Sequence, residues 1–262
     1  SDRMGFLLPA VTQEALTNQQ DVVRNERRQS YENRPYGKVW MWLFENLYPE
    51  GHPYHVPTIG KHEDIEAATL TDVHEFFKTW YVPNNATLSI VGDFDPEETK
   101  ALVEKYFGSI PRGPQPEPIV SAEARLEAEK VVRKVEPKGT EQKVWIAWIT
   151  PALYEAGDAE LDIASDLLAG GKDSRLYKRL VKETKLARSV EAYQYSARLH
   201  GQYIIEAVAS SEHTTDELVA EIDAVLKELL ESGPTDDEIE SAKVGGEVSF
   251  YQSIQSISAK AN

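Results

Sequence analysis

Between residues 13 and 33 the apolar positions fall at helical intervals. Ala15, Leu16, Val22 and Val23 share one side, and Pro35 with Gly37 closes the run, which predicts a helix over 13–33. Val39, Trp40, Trp42, Leu43, Phe44 and Leu47 predict a second helix over 39–47, ended by the turn YPEGHPY. Thr69, Leu70, Thr71 and Asp72 have the form of a capping box. The helix they open carries Val73, Phe76, Phe77 and Trp80 and stops before Pro83. ATLSIV at 86–91 has the composition of a buried strand. Asp95, Pro96, Glu97 and Glu98 then supply an N-cap, a first-turn proline and acids that suit the helix dipole.

The second half repeats this grammar. KVWIAWI predicts a strand, Asp158 to Leu168 an amphipathic helix, and the stretch from Ser174 to Leu180 another helix. SVEAYQYSA and QYIIEAVAS alternate around Leu199-His200-Gly201 as an antiparallel pair. Thr214 with Glu217 caps a helix whose stripe is Leu218, Ile222, Val225, Leu226, Leu229 and Leu230. Gly233-Pro234 ends it, and Thr235 with Glu238 opens the next. Strand, acidic cap and amphipathic helix therefore occur in the same order in both halves. The reading is α+β, with two homologous domains, each a mainly antiparallel sheet with helices packed on one face. The proline-rich, then charged stretch at 111–129 is the best linker, so the boundaries are set at 1–113 and 131–262 with 114–130 between them.

Composition narrows the partners. Acidic residues outnumber basic ones, 44 to 28, for a net charge of −16. A surface this acidic disfavours nucleic acid and anionic membranes. There is no cysteine, which rules out disulfides, thiolate metal sites and a thiol nucleophile and leaves the compartment open. Apolar runs such as 144–149 are too short to span a bilayer. The opening SDRMGFLL and the closing SISAKAN suggest an internal fragment of a longer protein.

Most candidate chemistry reduces to structure. GGKDS at 170–174 follows a helix and lacks the spacing of a phosphate loop, so it reads as a helix-to-helix turn. His52 and His55 stand three apart in a proline-interrupted turn and cannot share a helical face as two zinc ligands. His62, His74, His200 and His213 read as solvated. No G-x-S-x-G is present. Glu97-Glu98 and Asp236-Asp237 fall in first helical turns, where the dipole accounts for them. Glu26 is different: it sits with Val22 and Val23 on the apolar side of its helix, where a carboxylate needs a partner. By pattern alone it is either an ion-paired or solvated acid of the run RNERRQ, or a group facing something else.

QDVVRNERRQSYENRPYG, YPEGHPYHVPTIG, TLTDVHEFFKTWYVPNNATLSIVGDFD and KYFGSIPRG resemble the pitrilysin/insulinase family of zinc peptidases, which includes the mitochondrial processing peptidases and respiratory-chain core proteins. The resemblance covers nearly the whole chain and is most specific over the first 113 residues. In that family an H-x-x-E-H helix supplies two zinc ligands and a stretch D-V-(V/I)-x-x-E the third. Residues 21–26 match the latter position by position, so the resemblance implies that Glu26 is a metal ligand. No H-x-x-E-H occurs in the chain, so no catalytic residue is expected within it; the histidines and the general base are expected before Ser1. The family's L-R-x-x-x-G-L-A-Y stretch, which grips the substrate carbonyl, corresponds to Leu180–Arg188, with Val181 and Arg188 in place of Arg and Tyr.

The resemblance thus implies part of a zinc metalloendopeptidase that cleaves peptides in a chamber of two halves, inactive alone, with zinc weak or absent. A downstream homologous half or a partner subunit would supply the missing groups, and the location leans to the bacterial periplasm or another exported site. The alternatives are a non-catalytic scaffold or partner subunit of the core-protein kind, and a peptide-binding module using an exposed strand edge.

Overall fold

The structure is a computed structural model, and it describes residues 1–261. Two short turns, α1 (Asp2–Gly5) and α2 (Leu7–Ala10), precede α3 (Gln13–Arg27), which runs on into a π-helical turn at Arg28–Glu32. Next come α4 (Val39–Leu47), α5 (His62–Ala67), α6 (Leu70–Trp80) and α7 (Pro96–Phe107). The second half contains β1 (Lys143–Thr150), α8 (Asp158–Ala169), a π-helical stretch at Tyr177–Glu183, β2 (Ala187–Tyr195) and β3 (Gly201–Ala209). It closes with α9 (Thr215–Ser232), α10 (Asp236–Ser253) and α11 (Ile257–Ala261). The described residues group into two compact units, one of 1–33, 56–120 and 251–261, the other of 34–55 and 121–250.

The predicted helix starts hold because their bonds are local. The capping bonds of α6 are reciprocal: the Thr69 Oγ1 accepts the Asp72 N–H at 3.3 Å, and the Asp72 carboxylate accepts the Thr69 N–H at 2.7 Å. Asp95 accepts the Glu98 N–H at 2.9 Å at the start of α7. Thr214 and Glu217, and Thr235 and Glu238, exchange the same pair of bonds before α9 and α10.

ATLSIV departs from expectation. Residues 86–91 join no ladder, and Leu88 and Ile90 are 56% and 43% exposed. A strand is a property of a pair, because its alternate N–H and C=O groups need a neighbour. No described residue provides one, so composition alone did not make this segment a sheet strand. The first unit is accordingly helical. Its turn at 82–85 is seated by Asn84, whose Oδ1 accepts the Gly113 N–H at 2.9 Å while its Nδ2 donates to the Pro114 carbonyl at 3.2 Å.

The second unit holds an antiparallel sheet in the order β1-β3-β2. The expected β2–β3 pair forms, with a register irregularity between Ala187 and Ser189. The central strand β3 is buried on both faces. Tyr203, Ile205, Ala207 and Ala209 enter a core with Leu168 of α8, Leu176 and Leu180 of the following helical stretch, and Leu218, Ile222 and Val225 of α9. On the opposite face Ala147 and Ile149 of β1 pack with Leu47, Tyr48 and Ala124. The sequence placed helices on one face only; α4 and the segment around 124–126 cover part of the other. No described helix is long and apolar enough to cross a membrane.

Candidate functional site

Thr12 caps α3 by accepting the Ala15 N–H at 3.2 Å. Three side chains at spacings of four and three then hold one face of the helix. Gln20 Nε2 donates to the carbonyls of Ile65 and Ala68 at 2.8 and 2.9 Å, and Arg24 pairs with Glu66 at 2.5 Å. Arg27 donates through Nη1 to the Gly60 carbonyl and through Nε to Glu32 at 3.0 Å. Glu32 also meets His62 Nε2 at 3.0 Å. Burial pushes the Glu32 carboxyl up, but the hydrogen bonds and charges of Arg27 and His62 outweigh it and hold it below the ordinary carboxylate value.

Glu26 lies about a third of a turn from this anchored face, on the side of Val22, which is 50% exposed. The sequence grouped Val22 with Val23 as a buried stripe. The structure separates them: Val23 is half-buried, whereas Val22 and Glu26 face outward. The desolvation argument for a partner therefore does not apply to this carboxylate. Neither neighbouring arginine serves it, since Arg27 is held by Glu32 and Gly60, and Arg28 donates to Asn25 Oδ1 at 2.7 Å. Among the described residues no group of three or more His, Cys, Asp or Glu could hold a metal ion. One exposed carboxylate does not fit a zinc site by itself, which needs about four ligands.

The remaining candidates take structural places. His52 is buried and His55 Nδ1 meets the Tyr48 carbonyl at 2.9 Å, so HPYH is a turn. GGKDS is the expected helix-to-helix connection, with Ser174 Oγ donating to the Gly171 carbonyl at 2.6 Å. His62 and His200 are not simply solvated: the first joins Glu32, and the second faces the His52 ring. Val181 packs against the core of the second unit, and Arg188 forms an ion pair with Glu141. Pattern reading missed the anchoring set Gln20, Arg24 and Arg27, although their spacing of four and three marks one helical face.

The fold of the second unit, an antiparallel sheet covered by helices, is that of M16 peptidase domains. The chain belongs to the peptidase M16 family, and residues 67–244 match its inactive domain. It is 29% identical over 247 residues to the zinc protease PqqE of Helicobacter pylori, covering 92% of this chain and 54% of that one. A crystal structure of a protease from Helicobacter pylori superposes with a TM-score of 0.80 at 26% identity, covering 96% of this chain and 61% of that one. The periplasmic protease PqqL of Escherichia coli shares the fold, with a TM-score of 0.72 at 16% identity over 95% of this chain and 28% of that one. The chain spans about half the length of the curated relatives it matches.

Proposed function

We propose that this chain is part of a zinc-dependent endopeptidase of the M16 family and that Glu26 is one of its metal ligands. The observation that carries the reading is the asymmetry of α3. One face is tied down by Gln20, Arg24 and Arg27, while Glu26, in a D-V-V-R-N-E stretch, stands on the open face with its neighbouring arginines engaged elsewhere. A rigidly held helix offering an uncommitted carboxylate suits a ligand completed by groups outside these residues. Relatives named as zinc proteases support the metal. The chain alone is then inactive and retains little zinc.

The two homologous domains, 1–113 and 131–262 joined by 114–130, belong to the same reading, as does a second half or partner subunit that contributes to the peptide chamber. That PqqL is described by its first half supports such pairing, and its periplasmic place supports an exported location here. A second reading, a non-catalytic subunit, draws on Val181 and Arg188, which are committed to the core and to Glu141.

The test replaces Glu26 with Gln in the full-length protein. Zinc content and peptidase activity should fall together, while the melting temperature of this chain alone stays within about 1 °C, as for exposed substitutions. Full zinc with full activity in E26Q would show that Glu26 is a surface acid. A full-length protein with neither zinc nor activity before mutation would select the non-catalytic subunit.

A further inference from the structure

His52 is only 3% exposed, and the rings around it belong to Tyr48, Tyr54 and His200. It stacks on Tyr48 at 4.6 Å between centroids and 15° between planes, and meets Tyr54 edge-on at 5.3 Å. Its Nδ1 accepts the Tyr54 N–H at 3.0 Å. An amide N–H needs a lone pair, so Nδ1 carries no proton and the neutral ring bears its hydrogen on Nε2. That nitrogen is buried and has no hydrogen-bond partner. A protonated nitrogen is no metal ligand, which disposes of His52 and His200 as a metal pair despite their 5.6 Å ring separation. Tyr54 in turn accepts the Leu199 N–H at 3.1 Å through its hydroxyl, and Tyr48 accepts from Gln202 Nε2 at 2.8 Å.

These bonds make a chain of contacts from the turn at 48–55 to the β2–β3 connection at 196–200. The Tyr54 N–H bond to Nδ1 depends directly on a neutral His52, and Tyr54 is the residue whose hydroxyl holds Leu199. A second proton would have to sit on Nδ1, where it opposes the Tyr54 N–H, and would place a charge in a buried aromatic pocket beside His200. The other titratable group at this place is His55, turned to the Tyr48 carbonyl, with Tyr195 beyond Tyr48; no carboxylate contributes to the titration of His52.

We propose that His52 and His200 form an acid-sensitive latch that holds the 48–55 turn against the β2–β3 connection and releases it on protonation. Burial, and then the proximity of His200, lower the His52 pKa in the fold. The stability it supports is therefore present above the unfolded value of about 6.5 and is lost as pH falls through the lower folded value.

The test uses the whole chain and follows amide exchange, corrected for its intrinsic pH dependence, at Tyr54 and Leu199 between pH 7.5 and 5.0. Their protection should fall about tenfold beyond any change in the β3 amides, since opening gains a factor of ten for each pH unit between the unfolded and the lower folded value. His52→Asn keeps an acceptor near Nδ1 but cannot titrate, so the differential loss should vanish. His200→Gln removes one cause of the depression, so the folded value rises towards the unfolded one and the acid-induced loss should shrink and be complete at higher pH. Nitrogen-resolved NMR of the unaltered protein at pH 8 should find the His52 proton on Nε2. A proton on Nδ1, protection that falls equally in β3, or an H52N protein that keeps the acid transition would overturn the latch. If H52N does not fold, the tautomer and the H200Q shift still decide.

Discussion

Glu238 offers a quantitative test of how the second unit holds α10. Its two carboxylate oxygens accept from Arg175 Nε and Nη2 at 2.7 Å each, and Oε2 also accepts the Thr235 N–H at 2.8 Å. Arg175 donates further to the Gly233 carbonyl at 3.0 Å. One bidentate pair thus joins the cap of α10, the end of α9 and the helical stretch that begins at Arg175. The Arg175 hydrogen bonds outweigh burial and, with Thr235, lower the Glu238 carboxyl from 4.5 to about 2. At about 1.4 kcal/mol per tenfold in acidity, that gap sets a ceiling of about 3.5 kcal/mol. The side chains are 20% and 30% exposed, so solvent screening reduces the expected contribution to about 1–2 kcal/mol.

Glu238→Gln keeps the shape and removes the charge. Because the folded pKa lies below the unfolded one, the stabilisation is complete above about pH 4.5 and is lost as pH falls towards 2. Urea unfolding should place the variant about 1–2 kcal/mol below the parent protein at pH 7, with the gap shrinking by roughly two fifths at pH 3.5. Equal midpoints at pH 7, or a gap that widens on acidification, would refute the reasoning.

Three further outcomes follow from packing and organisation. Ile205→Ala, at a fully buried position of β3, should cost about 3–4 kcal/mol in the same assay, whereas Leu230→Ala, at a position 86% exposed, should stay within about 0.5 kcal/mol. Gly201→Ala would bring a Cβ to 2.5 Å from both Gln194 Nε2 and Thr150 Oγ1 and to 2.8 Å from the Pro151 carbonyl oxygen, so it should lose about 1–3 kcal/mol, read from the melting temperature. If 114–130 is a linker between domains, limited proteolysis should nick it first; earlier cleavage within 86–107 would count against that boundary.

What the sequence by itself determined was local. Thr69 with Asp72, Asp95 with Glu98, Thr214 with Glu217 and Thr235 with Glu238 specify helix starts because donor and acceptor lie three residues apart, so no distant neighbour is needed. The β2–β3 hairpin was legible for the same reason, its strands being adjacent in the chain and alternating in character. The motif around Glu26 was also legible as a pattern, but its surroundings were not. Only the tertiary structure decided that Val22 parts from Val23, because Gln20, Arg24 and Arg27 choose which face of α3 turns towards 60–68. It likewise left ATLSIV without a ladder, joined Arg175 to Glu238 across 63 positions, and enclosed His52 between Tyr48, Tyr54 and His200. Burial, pairing and protonation state depend on what arrives from far along the chain, and no local pattern of residues encodes that arrival.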